Sequence, residues 1–464
     1  MERILEKCVK IVKHISVEPT MWLYMMAFMT TSVIEQAFFV YKACRVDHEF
    51  SEEICRNITA NKTLNSQVQI TVSKFHQWNG IASHVLPIIL AFFIGNWSDR
   101  RGRKLLLILG LFGKLIYSFM IVINTVMPSW NINMIIYTAS IPSTLFGADV
   151  AIFAACFAYI SDISSVEDRT FRITILDAVY LSSMPMGIAL GSYLFNHVVN
   201  FSYTIMFSIN SSLLVLAIIY SLLNLEWQTN TKQQSIKGRN VFLDFFDKNH
   251  VIETIKTLVK RRELNGRLCL WILFLGMSLY AFQRDEKPMS YLYTQIMFKW
   301  NVADFSQFRI FQSSLFVIAM LLGVPIMSKT FKLNDTWIVI IGTLSHSLAR
   351  IVFCLAKKPI FFYIGTIFGA FGPIVAPVLR SMISKEVPPE ERGKIFSILS
   401  VFDNAVPIFS GVMYSQLYNA TIISMPSAIY LLTIGSQITV LFLVLIIYFF
   451  PRSQRLNDKN EVNV

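Results

Sequence analysis

The chain alternates between long apolar runs and short polar stretches over its whole length. With a window of about 20 residues, the length that crosses a bilayer as a helix, twelve runs qualify as membrane spans. They lie near residues 20–40, 77–97, 105–126, 133–160, 171–197, 203–223, 267–284, 305–327, 336–355, 360–382, 392–417 and 427–450. The pattern predicts an all-α polytopic membrane protein with twelve transmembrane helices.

Composition supports this prediction. Of the 464 residues, 54% are hydrophobic and only 15% are charged, and the mean hydropathy is +0.53. A net charge of +12 would suggest nucleic-acid binding in a soluble chain. In a membrane protein the same excess of Lys and Arg indicates basic cytoplasmic loops. The polar, basic start of the chain predicts no cleavable signal peptide.

The basic residues also predict the orientation. They collect before the first span, in the stretch 226–267 and in the tail, whereas the loops near 127–132, 196–202 and 418–426 hold no Lys or Arg. The positive-inside rule therefore predicts that both termini are cytoplasmic. The loop 41–76 between the first two spans is then external.

That external loop carries two candidate modifications. Asn57 and Asn61 each begin an N-x-Thr sequon and are predicted glycosylation sites. Cys44 and Cys55 share the loop in an oxidising compartment, so a disulfide between them and two separate thiols both remain open. No Cys or His spacing predicts a metal site.

An internal repeat predicts the domain organisation. The segment "YISDISSVEDRTFRITIL" matches "MISKEVPPEERGKIFSIL" at a shift of 223 residues, about half the chain and six spans. Six spans restore the same orientation, so the repeat is parallel. It predicts a six-helix half at 1–225, a cytoplasmic linker at 226–266 and a second half at 267–464 with a short cytoplasmic tail. We interpret the matched charges as gating ion pairs: Glu167, Arg169, Glu390 and Arg392.

A charge cluster, "GNWSDRRGRK", lies between the second and third spans. It fits the G-x-x-x-D-R-x-G-R-K signature of the major facilitator superfamily through Gly95, Asp99, Arg100, Gly102, Arg103 and Lys104. An ordinary basic loop explains the charges but not this spacing. The resemblance implies a twelve-helix major facilitator fold in which Asp99 faces the positive end of span eleven and closes the cytoplasmic side.

A narrower resemblance concerns "WSDRRGRKLLL", "ACFAYISDISSVEDRTFRITILDA" and "APVLRSMISKEVPPEERGKIFS". These stretches are similar to the proton-coupled folate transporter family, solute carrier family 46, within a likeness from about Trp22 to Tyr448. The family implies movement of organic anions such as folates or peptidoglycan fragments, mostly with protons. Two family positions differ: a coupling histidine is replaced at Tyr280 or a neighbour, and a disulfide cysteine near Lys299 is missing. The resemblance leaves Cys55 to pair with Cys44 or to stay free.

Ionisable groups in a bilayer core cost about 2.5–3.5 kcal/mol each, so each indicates a function or an ion pair. By resemblance, Asp177 in span five occupies the position of a family glutamate tied to proton coupling. Glu35 in span one is a second candidate for proton coupling. Asp149 in span four is a third, one residue from a functional family aspartate. For Asp177 a structural salt bridge is the alternative.

Candidate substrate contacts are Arg380, Gln36 and Asn404. Arg380, late in span ten, matches a family arginine and could hold a carboxylate, or its side chain could extend to the cytoplasmic surface. Gln36 lies mid-membrane in span one, and Asn404 in span eleven could face a cavity or cap a helix break. His346 and Arg350, one helical turn apart in span nine, are expected to form a structural pair.

No nucleotide-binding or hydrolase motif occurs in the sequence, which predicts neither an enzyme nor a cofactor. We therefore predict a secondary active transporter that moves a small anionic organic solute, folate-like or muropeptide-like, towards the cytoplasm with protons. An uncoupled facilitator and a ligand receptor without flux are the alternatives. The expected partners are solute, protons and lipid, not nucleic acid, for a monomer or weak homo-oligomer in the plasma or endolysosomal membrane.

Overall fold

The computed structural model describes residues 15–164, 169–229, 233–234, 244–246, 266–387 and 392–449. This part of the chain is helical and contains no strand. Twelve of its helices are long and apolar enough to cross a membrane. They are α1 (Glu18–Asp47), α2 (Lys62–Ile94), α3 (Arg103–Val126), α4 (Ile136–Ile163), α5 (Arg172–Val198), α6 (Tyr203–Asn224), α7 (Gly266–Phe298), α8 (Val302–Ser328), α9 (Asp335–Leu355), α10 (Ile360–Lys385), α11 (Ile398–Thr421) and α12 (Pro426–Phe449). The predicted fold class is confirmed.

Two helices extend well beyond the spans that hydropathy predicts. α2 begins at Lys62 rather than near residue 77, and α7 continues to Phe298 rather than ending near residue 284. Both extensions carry polar side chains, which lower the hydropathy of the window although the backbone remains helical. The segment between α1 and α2 is therefore shorter than the predicted loop 41–76.

This connecting segment is folded around a disulfide. Cys44 and Cys55 are joined, with their Cα atoms 5.7 Å apart. Asn57 and Asn61 are both exposed, as a glycan acceptor must be. The side-chain oxygen of Asn61 also accepts the N–H of Thr63 at 3.1 Å and so caps the start of α2. Glycosylation of the two asparagines stays a prediction.

Residue contacts divide the structure into two compact units. Unit 1 takes its described residues from Met1–Lys42 and Phe93–Asp247, and unit 2 from Ala43–Phe92 and Lys248–Val464. In unit 1, α1 packs against α5 and α6, and α3 packs against α4 and α6. In unit 2, α9 packs against α10 and α12, and α7 packs against α10 and α12. The division into halves by the repeat stays a prediction.

Aromatic and aliphatic packing forms the core of unit 2. The ring of Phe362 stacks on that of Phe353 with the centroids 4.5 Å apart, and Leu270 and Val339 are fully buried. Large apolar side chains are also exposed, for example Leu223 at 78% in unit 1. Apolar surface on this scale is stable in lipid rather than in water.

Candidate functional site

The signature turn between α2 and α3 depends on a glycine. The α2 helix continues to Arg101, and Gly102 follows with a φ of 103°. A Cβ atom at Gly102 would lie 2.5 Å from the carbonyl oxygen of Trp227. Both the backbone conformation and the close approach therefore require glycine at this position of the signature.

The signature cations fix α3 to its neighbours in unit 1. Arg103 bonds Asp162 at the end of α4 through its Nε atom at 3.0 Å, and it also pairs with Asp99. Lys104 donates to the carbonyl oxygens of Leu222 at 2.8 Å and Leu225 at 2.6 Å. Lys104 thus satisfies carbonyl groups left open at the end of α6.

A buried ion pair joins the end of α2 to a short piece of the predicted linker. Arg101 donates from Nε to Asp244 Oδ2 at 2.7 Å and from Nη2 to Oδ1 at 2.5 Å, with both side chains about 5% exposed. The hydrogen bond from Arg101 lowers the pKa of Asp244 despite its burial. Phe245 packs on Trp97 with the ring centroids 5.4 Å apart. Arg101 occupies the variable position of the signature, so sequence reasoning passed over it.

The described part of the chain does not include the side chains of the remaining gating residues. Glu167 and Glu390 lie outside the described residues, and so do the side chains of Arg169 and Arg392. The backbone carbonyl of Arg100 accepts the N–H of Gln234 at 2.8 Å within unit 1. The contact of Asp99 with span eleven stays a prediction.

Two of the predicted proton-coupling residues come together around a lysine in unit 1. Lys114 Nζ lies 2.7 Å from Asp149 Oδ2, and the Tyr24 hydroxyl donates to the same carboxylate. The Tyr117 hydroxyl donates to Glu35, which lies within electrostatic range of both Lys114 and Asp149. We call these five residues the acid cluster.

Helix packing explains why Lys114 meets Asp149. A Cβ atom at Gly113 would lie 2.7 Å from the Ser143 carbonyl oxygen, so α3 and α4 approach closely beside Lys114. α4 is interrupted at Gly147 and resumes as a helix at Ala148. Asp149 therefore lies in a first helical turn, where the positive end of the helix dipole favours a carboxylate.

Sequence reasoning missed Lys114, although a signal was present. The lysine stands inside the third apolar run, in "LFGKLIY". A lysine at that depth is costly unless it is paired or functional. The aromatic rings of Phe28 and Tyr117 also face its ammonium group, with centroids 5.6 and 5.8 Å away.

Two other predicted residues of unit 1 lie on α5 and α1. Asp177 is an exposed residue of α5. Gln36, next to Glu35, has a buried Oε1 atom that accepts no hydrogen bond from the described residues. A buried amide oxygen of this kind is available to a donor on a bound solute.

In unit 2, Arg380 and a second arginine, Arg284, both contact the carboxylate of Asp403. Arg380 Nη2 lies 3.2 Å from Asp403 Oδ2, and Arg284 Nη2 lies 3.8 Å from the same oxygen. The two arginine side chains are 47% and 46% exposed, whereas Asp403 is 14% exposed. We call Arg284 and Arg380 the arginine pair. One carboxylate cannot neutralise both, so the pair retains a positive charge that is accessible.

Two residues of this region, Arg284 and Asn404, differ from what the sequence predicts. Arg284 was missed because hydropathy ends span seven there, while the helix continues to Phe298. Asn404 Nδ2 donates to the Ser400 carbonyl oxygen at 2.7 Å within its own helix. This bond ties Asn404 to the helix backbone rather than to the arginine pair.

Arg350 does not pair with His346, and that prediction is wrong. Arg350 Nη2 lies 3.0 Å from Glu286 Oε1, and its Nε atom lies 3.2 Å from both carboxylate oxygens. Both side chains are less than 10% exposed. The Thr433 hydroxyl also donates to Glu286. A buried guanidinium is more stable beside a carboxylate than beside an imidazole.

Comparison with known proteins decides the family. The family model of the Major Facilitator Superfamily matches residues 57–328 and 304–463. The chain belongs to the Major Facilitator Superfamily. It is a membrane transporter and not an enzyme, because the similar proteins are all transporters of this superfamily.

The similar proteins include members of solute carrier family 46. One is the "Probable peptidoglycan muropeptide transporter SLC46" of Drosophila melanogaster, 24% identical over 88% of this chain and 80% of the relative. Another is the "Lysosomal proton-coupled steroid conjugate and bile acid symporter SLC46A3" of Gallus gallus, 26% identical over 88% of this chain and 89% of the relative. The resemblance to this family stated above is confirmed.

A solved structure supports the fold. The crystal structure of a D-xylose-proton symporter superposes with a TM-score of 0.65 and 13% identity, over 95% of this chain and 97% of that chain. At this identity the likeness concerns the fold alone.

Proposed function

We propose that the transporter is a proton symporter that moves a small anionic organic solute towards the cytoplasm by alternating access. The observation that carries the proposal is the acid cluster. Glu35 and Asp149 contribute two negative charges and Lys114 one positive charge, so the ionised cluster carries a charge of −1. Uptake of one proton by either carboxylate makes it neutral.

This change of charge links proton binding to movement of the protein. A net charge within the membrane is costly, and it disfavours any state in which the cluster is closed off from water. Protonation removes that penalty and favours the occluded state. A proton can thus shift the population between outward and inward states because it binds them with different affinity. Asp177, on a neighbouring helix, is proposed as a further proton-coupling residue.

The arginine pair supports an anionic solute. Arginine presents a planar set of donors that fits a carboxylate, and Arg284 and Arg380 share one counter-ion between them. The free amide oxygen of Gln36 could accept a hydrogen bond from the solute, and Asn404 remains a further candidate. The name of the Drosophila relative favours a muropeptide-like solute. The family resemblance also allows a folate-like one.

We also propose an orientation in the membrane and a gating role for the charged residues. We place both termini in the cytoplasm, on the side of the signature turn, and the Cys44–Cys55 segment outside. The signature charges and the repeated charges Glu167, Arg169, Glu390 and Arg392 would then close the cytoplasmic side. The relatives of the family leave both the plasma membrane and the lysosomal membrane open.

Uptake into proteoliposomes tests the proposal. With an acidic outside, folate or N-acetylmuramyl-L-alanyl-D-glutamate is expected to accumulate inside, and a protonophore should abolish the accumulation. Equilibration without accumulation, unaffected by the protonophore, would instead indicate an uncoupled facilitator. Thermal stabilisation by a solute without any flux would indicate a receptor.

A further inference from the structure

Basic side chains outnumber acidic ones around the middle of α7. Five cations and three carboxylates form this group, which we call the cation cluster: Arg284, Lys287, Arg309, Arg350 and Arg380, with Asp285, Glu286 and Asp403. All eight belong to unit 2. With every group in its usual ionised form, the cation cluster carries a charge of +2.

Each carboxylate of the cation cluster is already engaged. Glu286 pairs with Arg350, and Asp403 pairs with the arginine pair. Asp285 accepts a hydrogen bond from the hydroxyl of Ser410. The acids therefore leave one positive charge on the arginine pair, as described above, and one more on Lys287, Arg309 and Asp285 taken together.

Lys287 and Arg309 carry this further charge. Within the described part of the chain, neither has an ion pair with a carboxylate. Lys287 is exposed and lies within electrostatic range of Arg309 and Arg284, and of the carboxylates of Asp285 and Glu286. One helical turn from Lys287 and Arg309, the rings of Tyr291 and Phe305 pack with their centroids 5.0 Å apart, so α7 and α8 are in contact beside the two cations. Arg309 Nη1 donates to the neutral Gln312 Oε1 at 2.5 Å. The Asp285 carboxylate offsets one of these two charges, so a net positive charge remains within membrane-spanning helices. Such a charge is costly and indicates that a bound anion completes the arrangement.

We propose that Lys287 and Arg309 bind a second acidic group of the solute, so that the transporter selects dianions over monoanions. The inference rests on the proposed function, in which the arginine pair binds the first acidic group. Arg284 and Lys287 are three residues apart along the chain, a rise of about 4.5–6 Å. Two acidic groups a few bonds apart, as at a glutamyl end, match this spacing.

The preference for dianions affects the conformational change through the net charge of the cation cluster. A dianion brings the cation cluster from +2 to zero, whereas a monoanion leaves +1. Because a net charge is disfavoured in an occluded membrane site, the neutral complex is the one that changes conformation readily. The dianion thus removes the net charge of the cation cluster, just as a proton removes the net charge of the acid cluster.

A matched pair of probes tests the selection by equilibrium binding to the purified full-length protein. N-acetylmuramyl-L-alanyl-D-glutamate has two carboxylates, and N-acetylmuramyl-L-alanyl-D-isoglutamine has one. Folate and pteroate form a second such pair. We expect the dianion of a pair to bind wild type about tenfold tighter or more, the effect of one charge-assisted contact.

Lys287→Gln should weaken binding of the dianion by about 10- to 100-fold and change binding of the monoanion by less than about twofold. Arg309→Gln should also weaken binding of the dianion more than binding of the monoanion. The second variant keeps the test valid if Lys287→Gln does not fold. Lys358→Gln, at an exposed lysine between α9 and α10, is the control and should leave the preference intact. Equal weakening of both probes, or an unchanged preference in Lys287→Gln, would overturn the inference.

The binding assay keeps this inference apart from the proposed function, because it needs no proton gradient. A dianion preference that depends on Lys287, together with uptake that ignores the gradient, would overturn proton coupling but support the inference. Proton-driven uptake without a dianion preference would support proton coupling and overturn the inference. Failure of wild type to bind either member of both pairs would overturn the inference together with the proposed solute class.

Discussion

Glu35→Gln is expected to abolish accumulation of the solute against its gradient while leaving downhill movement in place. The amide can still accept the hydrogen bond of the Tyr117 hydroxyl, so the packing of α1 and α3 is retained. It cannot release or take up a proton. A difference of one pH unit supports about tenfold accumulation per proton, because it amounts to about 1.4 kcal/mol. We expect the variant to reach about onefold accumulation, which means equal solute concentrations inside and outside the vesicles.

The control for this variant is Glu52→Gln. Glu52 is exposed in the short helix after Cys44, where it pairs with Arg56 at the surface. This substitution removes the same titratable group and should leave accumulation unchanged. Full gradient-driven accumulation by Glu35→Gln would show that Glu35 does not carry the coupled proton and would leave Asp149 and Asp177 as candidates.

Breaking the Glu286–Arg350 ion pair is expected to have the largest effect on stability. Arg350→Met leaves the Glu286 carboxylate buried without its cation, and removal of one partner of a buried pair costs about 3–5 kcal/mol. The double variant Glu286→Met, Arg350→Leu removes both charges and should recover most of the loss. The free energy of unfolding of the purified protein, from titration with a denaturing detergent, measures both.

An exposed pair provides the comparison. Arg56 and Glu52 form an ion pair whose side chains are 68% and 50% exposed, and such pairs contribute about 0–1 kcal/mol. Arg56→Met should therefore change the free energy of unfolding by less than about 1 kcal/mol. A similar small loss in Arg350→Met would contradict the description of the Glu286–Arg350 pair as a buried, stabilising contact.

Hydropathy predicted the fold class because membrane helices must bury their backbone polar groups and expose apolar side chains to lipid. It failed at the ends of helices that continue with polar side chains. α2 extends back to Lys62 and α7 on to Phe298 for this reason. The early end assigned to span seven, near residue 284, also placed Arg284 at its last position and Lys287 outside it.

Two acids of the acid cluster could be selected from the sequence, whereas the lysine beside them was left out. Glu35 and Asp149 were selected because a carboxylate in an apolar run calls for an explanation, and the same reasoning applied to Lys114 would have found their shared partner. Contacts between helices distant in sequence could not be predicted. The approach of α3 to α4 at Gly113 places Lys114 beside Asp149, and the pairing of Arg350 with Glu286 requires α9 to pack near α7.

The most direct test of proton coupling is proton movement driven by the solute. Proteoliposomes with a trapped pH-sensitive dye and equal pH on both sides receive an external pulse of the solute that accumulates in the gradient assay. Coupling predicts that the lumen becomes more acidic as the solute enters, and that Glu35→Gln abolishes the change. Entry of solute into wild-type vesicles without any change in luminal pH would contradict symport.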